Sequence, residues 1–370
     1  MKILFPIGSF YPAQRGPANT VYWLTKALNK KGVEVTVITT NNHIEKEDLV
    51  VDTYIETEVG KVIYYREKNY KFPLKMIYEV FKEIKKNDIV HLSSLFFPPA
   101  LIAALSSRYY KKKVVWSVRG ELEDGALKYK SYIKMIYIKL INLCITQDVV
   151  FHSTSDRETQ NIKKYFPNNN IVALPNYIEL PKKTEMAIAK QILFLGRIAP
   201  IKALENLIEA VFESKKFRQT DFTLKIVGPI DSQQYFDKLE NLVMKLHLEE
   251  YVFFLPKVTG IEKEKLLAES YFLVLSSHSE NFGNVVLEAC AQGTPVIASY
   301  GTPWEKLREY NAGYWVDNTP SGLSNVFDCI VTLDTETYGK MRENAYSMVN
   351  EQFSIEKNID KWMNIYKGLI

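Results

Sequence analysis

In Leu273-Val274-Leu275-Ser276-Ser277-His278-Ser279-Glu280-Asn281-Phe282-Gly283-Asn284-Val285-Val286-Leu287-Glu288-Ala289-Cys290-Ala291-Gln292-Gly293, an apolar run gives way to small polar residues, then to a glycine, then to a second apolar run. The first run reads as a buried strand and the second as a helix that Gly293 stops. Pro295 and Val296 open the next strand. The helix is apolar almost all round (Val285, Val286, Leu287, Ala289, Cys290 and Ala291), so it is predicted to be buried. Glu288 nevertheless sits inside it, with no Lys or Arg three or four residues away on either side. A buried carboxylate needs donors, which a ligand diol or a distant Arg could supply. Glu280 falls earlier, in the loop at the strand's end. Gly283 lets a ligand approach the backbone. The helix start, at Asn284 and Val285, offers N–H groups and a positive dipole end to a diphosphate.

The same alternation extends outward in both directions. Strands are predicted at residues 3–7, 33–39, 89–93, 114–118 and 149–153, with helices at 18–31, 99–110 and 126–143. It pauses at 175–187, where Pro175, Asn176, Pro181 and the Lys182-Lys183 pair look like a linker. It then restarts with strands at 192–195, 222–227, 252–255, 273–276 and 296–299 and helices at 203–217 and 233–246. Continuous apolar strands between helices imply parallel sheets covered on both faces. The expectation is an α/β chain of two tandem Rossmann-like, doubly wound parallel-sheet domains facing a cleft. Ligands should bind at the carboxyl ends of the strands. The expected bounds are 1–176 for a first domain, 177–189 for a linker, 190–352 for a second domain, and 353–370 for a C-terminal helix that could cross back onto the first.

The composition of the 370 residues is globular, with 46% hydrophobic and 24% charged residues. A net charge of +4 is too mild to point to nucleic acid. Lys and Arg do gather between Tyr109 and Lys139. This stretch reads equally as a solvated helix face or as a basic face near an anionic membrane or anionic acceptor. Cys144, Cys290 and Cys329 read as small buried hydrophobes in a reducing, cytoplasmic compartment. No run reaches the roughly 18 apolar residues of a membrane span. Asp-x-Asp, phosphate-loop, zinc-helix and Gly-x-Gly-x-x-Gly signatures are absent, so neither a metal nor a nicotinamide cofactor is expected. His91 reads as a satisfied structural histidine, with cleft lining as the alternative.

Five further segments fall at strand ends or at the hinge. Leu195-Gly196-Arg197-Ile198-Ala199-Pro200-Ile201-Lys202 puts two cations after a strand. Gly8 to Pro17, including Gly16, joins the first strand to the first helix. Trp116-Ser117-Val118-Arg119-Gly120-Glu121-Leu122 ends another strand, and the acidic loop Glu121, Glu123 and Asp124 reads equally as acceptor contact or as solvated loop. Leu174-Pro175-Asn176 lies at the hinge, and Phe254-Leu255-Pro256-Lys257-Val258 runs out of the strand expected at 252–255.

Glu280 and Glu288, with seven residues between them, together with Thr294-Pro295-Val296-Ile297-Ala298, resemble the Glu-x7-Glu segment of retaining GT-B glycosyltransferases of family 4. The resemblance is specific in the second half and loose in the first. Gly-Arg-x4-Lys-Gly becomes Arg197…Lys202-Ala203, the usual Gly-Gly pair becomes Gly16-Pro17, and the first half is similar to an Arg-Gly subgroup at Arg119-Gly120. It implies transfer of a hexose or N-acetylhexosamine from a nucleotide sugar, UDP before GDP, to a glycan or polyprenyl-linked acceptor. Such transfer would serve cell-surface polysaccharide synthesis, at the inner face of the cytoplasmic membrane. Glu288 would hold the donor ribose, Glu280 the transferring sugar, and Phe282, Gly283 and Asn284 sugar hydroxyls and phosphate. Lys257 and Val258 would meet the base, and Gly16 the phosphate. Arg197 and Lys202 would meet the charge of the leaving diphosphate without a metal. Arg119 would hold the donor phosphate or an acidic acceptor. Two rivals stand beside this: a nucleotide-sugar epimerase of the same fold, and a non-catalytic nucleotide-sugar-binding subunit.

Overall fold

A computed structural model describes residues 1–10, 16–42, 44, 49–67, 69, 72–128 and 130–370. The turn residues 11–15 of the Gly8–Pro17 segment lie outside them. In chain order the elements begin β1 (Lys2–Pro6), α1 (Gly16–Lys30), β2 (Glu34–Thr40), β3 (Tyr54–Thr57), β4 (Gly60–Tyr65), α2 (Leu74–Ile84), β5 (Ile89–Ser93), α3 (Pro98–Tyr109) and β6 (Lys113–Ser117). Then come α4 (Asp124–Lys128), α5 (Ser131–Cys144), β7 (Val149–Ser153), α6 (Asp156–Tyr165), β8 (Ile171–Ala173), β9 (Ala189–Leu195), α7 (Leu204–Glu213) and β10 (Thr223–Val227). The chain continues through α8 (Gln233–Lys245), β11 (Val252–Leu255), α9 (Gly260–Glu269), β12 (Ser270–Leu275), α10 (Asn284–Ala291) and β13 (Val296–Ser299). It closes with α11 (Lys306–Glu309), β14 (Gly313–Val316), α12 (Pro320–Ile330), α13 (Thr335–Gln352) and α14 (Ile355–Leu369).

The chain forms two compact units, Met1–Glu179 with Ile355–Ile370, and Leu180–Ser354. In the first, the sheet order is β3-β4-β2-β1-β5-β6-β7-β8. Every pairing is parallel except β3 with β4, a hairpin whose outer strand edges the sheet. The strands β5 and β7 are buried at every position, which is why they read as largely apolar runs, each holding one histidine. One face packs α2, α3 and α5 against Leu92, Trp116 and Phe151. The other packs α1 and α14 against Phe5, Val37 and Val62, so the last helix belongs to this unit. The Ile355 amide donates to the Ile178 carbonyl at 2.8 Å, tying the start of α14 to residues just past β8.

The second unit is a wholly parallel sheet of order β11-β10-β9-β12-β13-β14. Successive strands run outward from β9 to β11, and the chain then returns to β12 on the other side of β9. Strand order therefore reverses between β9 and β12, the kind of position where open α/β sheets bind ligands.

Two expected helices differ in detail. The one expected at 126–143 is two, α4 and α5, and Lys130 takes a left-handed φ of 53° before α5. The one expected at 203–217 begins later, because Ala203 is itself left-handed, and ends at Glu213.

Gly228, at the end of β10, has φ +153°, and a Cβ there would stand 1.8 Å from the Gly196 carbonyl oxygen. The obstacle is backbone and cannot turn aside. Gly228→Ala should therefore cost at least about 2 kcal/mol, seen as a lower thermal midpoint. An unchanged midpoint would contradict this packing.

Candidate functional site

In the second unit the site is built at the strand-order reversal. After β9 come Gly196 and Arg197, and Ile198 forms a lone bridge with Ile230. A 3-10 turn, Pro200–Lys202, follows and ends on Ala203 at φ 50°, ψ 47°. A non-glycine residue there costs about 1–2 kcal/mol. Ala203 therefore occupies, at a cost, the position where the family pattern has glycine. The loop after β12 is lashed to this turn by two bonds. The Ser276 hydroxyl donates to the Lys202 carbonyl at 2.8 Å, and the His278 amide donates to the Ile201 carbonyl at 2.9 Å. The Glu280 amide donates to the Gly301 carbonyl at 3.0 Å. Thus held, the Glu280 carboxylate ion-pairs with the Lys202 ammonium, their side chains 21% and 14% exposed.

Gly283 caps α10 with φ +79°. Phe282 is buried against Trp304, ring centroids 5.2 Å apart, and the Trp304 indole N–H donates to the Phe282 carbonyl. These contacts fix the path into Asn284 and Val285, whose N–H groups open the helix. Here one expectation is corrected. Glu288 has a protein partner: Lys263 of α9, with Nζ 2.6 Å from its Oε2. The lysine lies 25 positions upstream, beyond any count along the helix itself. The Glu288 side chain is only 15% exposed, so this partner stabilises its charge without a ligand. Lys257 and Val258 follow β11, two residues before α9, the helix that carries Lys263. Lys257 is exposed and Val258 half-buried. Arg197 points elsewhere. It pairs with Asp231 at 2.7 Å, with both side chains about half exposed, so that pair adds little stability. The structure thus brings Lys202 and Glu280 together, gives Glu288 its own lysine, and leaves Arg197 at the rim.

In the first unit, Arg119 and Gly120 follow β6 with φ of 62° and 76°. Gly16 is the first residue of α1. Arg119 Nη1 donates to Asn176 Oδ1 at 3.1 Å and to Thr20 Oγ1 at 3.4 Å. Its Nε is buried without a hydrogen bond, as is the Tyr177 hydroxyl. Both residues line one small cavity, with Thr20, His152 and Trp362. The partners to which Arg119 donates, Asn176 and Thr20, are neutral. Burial draws its guanidinium down to about 10, opposed by the Glu158 carboxylate, so it stays charged at neutral pH. The acidic loop is mostly structural. Glu121 accepts from the Ser94 hydroxyl at 2.5 Å and the Phe96 amide at 2.9 Å. Glu123 is buried against Arg157 at 2.9 Å. Of the three acids only Asp124 is exposed.

Sequence reasoning missed a buried chain of polar groups across β5, β6 and β7. His152 Nε2 lies 2.9 Å from the Leu174 carbonyl, which can only accept. A neutral His152 therefore accepts at Nδ1 from the Ser117 hydroxyl at 2.8 Å. Ser117 in turn accepts from His91 Nε2 at 2.8 Å, and His91 Nδ1 accepts from the Tyr366 hydroxyl of α14 at 2.7 Å. One direction satisfies every member. Burial, the first cause, and the Arg119 charge lower His152 to about 3. Burial followed by His152 and Arg119 puts His91 well below 6.5. The signal available in sequence was a histidine inside each of two otherwise apolar strands.

Two doubly wound, mainly parallel units make up the GT-B fold, and the family models give the enzyme class, a glycosyltransferase. The family model "Glycosyl transferases group 1" matches residues 151–348, and "Glycosyltransferase Family 4" matches 15–181. The chain belongs to the glycosyl transferases group 1 family. It is 26% identical to N-acetyl-alpha-D-glucosaminyl L-malate synthase of Bacillus anthracis, over 97% of this chain and 96% of that one. HepE of Anabaena, solved with UDP and glucose, has a TM-score of 0.74 at 16% identity and full coverage of both chains. Sucrose-phosphate synthase from Thermosynechococcus elongatus has a TM-score of 0.78 at 18% identity, covering 100% of this chain and 98% of that one.

Two predictions follow from this geometry. Gly283→Ala would place a Cβ 2.8 Å from Leu275 Cδ2 and 3.2 Å from Glu280 Cγ. It should cost about 1–2 kcal/mol of stability and loosen Glu280 from Lys202, read by thermal melting and by donor binding. The second concerns pH. The histidines are held below their unfolded value, so the unfolded state binds more protons between 6.5 and about 3. Stability should fall as pH drops through that window, by up to about 1.4 kcal/mol per pH unit for each histidine. Urea midpoints that stay flat across it would show that the histidines do not titrate on unfolding.

Proposed function

We propose that this glycosyltransferase moves a hexose or N-acetylhexosamine from a nucleotide sugar, UDP-linked in preference to GDP-linked, with retention at the anomeric carbon. The observation that carries the proposal is the Lys202–Glu280 ion pair at the strand-order reversal, beside the left-handed Gly283. In this reading Lys202 moves from Glu280 to the donor diphosphate, and Arg197 adds a second cation from the rim. The N–H groups at Asn284 and Val285 meet phosphate. Negative charge grows on the leaving oxygen as the glycosidic bond breaks, and these groups neutralise it. Glu280 then accepts hydrogen bonds from the transferring sugar, and Glu288 from the ribose. The acceptor's proton passes to a donor phosphate oxygen. Lys257 and Val258 flank the base.

The first unit is proposed to receive the acceptor, with Gly16 near the donor phosphate. Arg119, a buried cation hydrogen-bonded to the neutral Asn176 and Thr20, suits an acidic acceptor or a donor phosphate. The name of the Bacillus anthracis relative, N-acetyl-alpha-D-glucosaminyl L-malate synthase, contains an acid, L-malate, and supports an acidic group there. A glycan or polyprenyl-linked acceptor in cell-surface polysaccharide synthesis would bring the chain to the inner face of the cytoplasmic membrane.

The test is incubation with UDP-, GDP- and ADP-sugars and candidate acceptors. Nucleoside diphosphate release is measured, with the product's anomeric coupling read by NMR. A retained α-linkage from a UDP-sugar is expected, lowered at least about a hundredfold by Glu280→Ala. Epimerised donor without diphosphate release would favour the epimerase. Donor binding without turnover for any acceptor would favour the binding subunit.

A further inference from the structure

We infer that the outer face of the α2–α3–α5 layer is a docking surface for an anionic lipid bilayer. These three helices hold about a tenth of the chain, yet they carry ten of its twenty-two exposed large apolar side chains among the described residues. On α5 the exposed residues are Tyr132, Ile133, Ile136, Leu140 and Leu143, and Leu143 is 81% exposed. Residues 133, 136, 140 and 143 repeat at three- and four-residue steps. They therefore form one stripe opposite Ile138 and Ile141, which are buried against the sheet. Leu74 and Tyr78 of α2 and Tyr109 of α3 continue the apolar surface on the same side of the sheet. Arg108 Nη1 donates to the Cys144 carbonyl at 3.0 Å, joining the ends of α3 and α5. Soluble surfaces do not ordinarily gather apolar side chains in this way.

The charges identify the occupant. Every exposed charged residue within α2, α3 and α5 is a Lys or Arg. The only acids in these helices, Glu79 and Glu83, are buried and paired with Lys82 and Lys86. In the adjoining segments Lys85, Lys111 and Lys113 add exposed positive charge, against the exposed acids Asp88 and Asp148. A second copy of this face would set cation against cation. A surface of anionic headgroups over acyl chains matches both features, with apolar side chains entering the interface and lysines meeting phosphates. No helix among the described residues is long and apolar enough to cross a membrane, so the contact would lie in the interfacial plane. The inference deepens the lipid-linked acceptor reading, but its evidence is the surface itself.

The test is co-sedimentation of the full chain with phosphatidylcholine vesicles, with and without phosphatidylglycerol, at low and high salt. Binding is expected only with phosphatidylglycerol and should weaken in high salt. The triple variant Ile133→Ser, Ile136→Ser, Leu143→Ser should weaken it at least about tenfold. Lys111→Glu with Lys113→Glu and Lys139→Glu should weaken it at low salt without touching the apolar stripe. All six side chains lie at the surface, so thermal midpoints and lipid-free diphosphate release should be unchanged. Absence of binding to phosphatidylglycerol vesicles would overturn the inference, as would binding equal in both variants. So would a concentration-dependent dimer that the apolar variant abolishes. Vesicle binding without any diphosphate release would leave the surface standing and remove the transferase chemistry proposed above.

Discussion

The second sheet grows from β9 in one direction, returns, and grows from β12 in the other. The two neighbouring strands therefore send their chains to opposite faces, and the crevice between their ends has no crossing connection to fill it. The Lys202–Glu280 ion pair closes over that crevice. Both partners are backbone-anchored: the 3-10 turn delivers Lys202, and the bonds from Ser276 and His278 pull the β12 loop onto it. The left-handed Ala203 ends that turn, and the left-handed Gly283 turns the chain into α10. The site is thus a consequence of strand order, held by hydrogen bonds to main-chain carbonyls and set with two opposite charges.

The first unit solves a different problem. Its Arg119 is held by the neutral partners Asn176 and Thr20, and that cation helps keep His91 and His152 uncharged. A neutral histidine chain can run through a sealed core because each link donates once and accepts once. Its ends are Tyr366 on α14 and the Leu174 carbonyl, just before Pro175 and Asn176. The last helix, the core strands and the segment that orients Arg119 are consequently one hydrogen-bonded assembly. Loss of any member would leave a buried donor or acceptor unmade, at about 1–3 kcal/mol.

Much of this was legible in the sequence. The buried strands β5, β7, β9, β10 and β12 read directly, because parallel strands covered on both faces are mostly apolar. The loop carboxylate Glu280 and the cations Arg197 and Lys202 read as strand-end residues. The edge strand β3 and helix α9 did not read, since their edge and surface positions carry weak periodicity. Lys263 was invisible for the same reason: its pairing with Glu288 depends on how α9 lies against α10, not on local spacing. The histidine chain joins four elements and is set by register. Ser117 pairs with Ser93 and His152 across the sheet, and no pattern along one strand encodes that.

The most direct test of the account is calorimetric titration of the chain with UDP and with uridine, for the native protein and for Lys202→Met. If Lys202 leaves Glu280 to hold a diphosphate, the variant should bind UDP at least about tenfold more weakly, since a charge-assisted contact is worth more than a neutral one. Its affinity for uridine should be unchanged. Equal UDP affinity in the two proteins would contradict the assignment of the strand-reversal turn as the donor site.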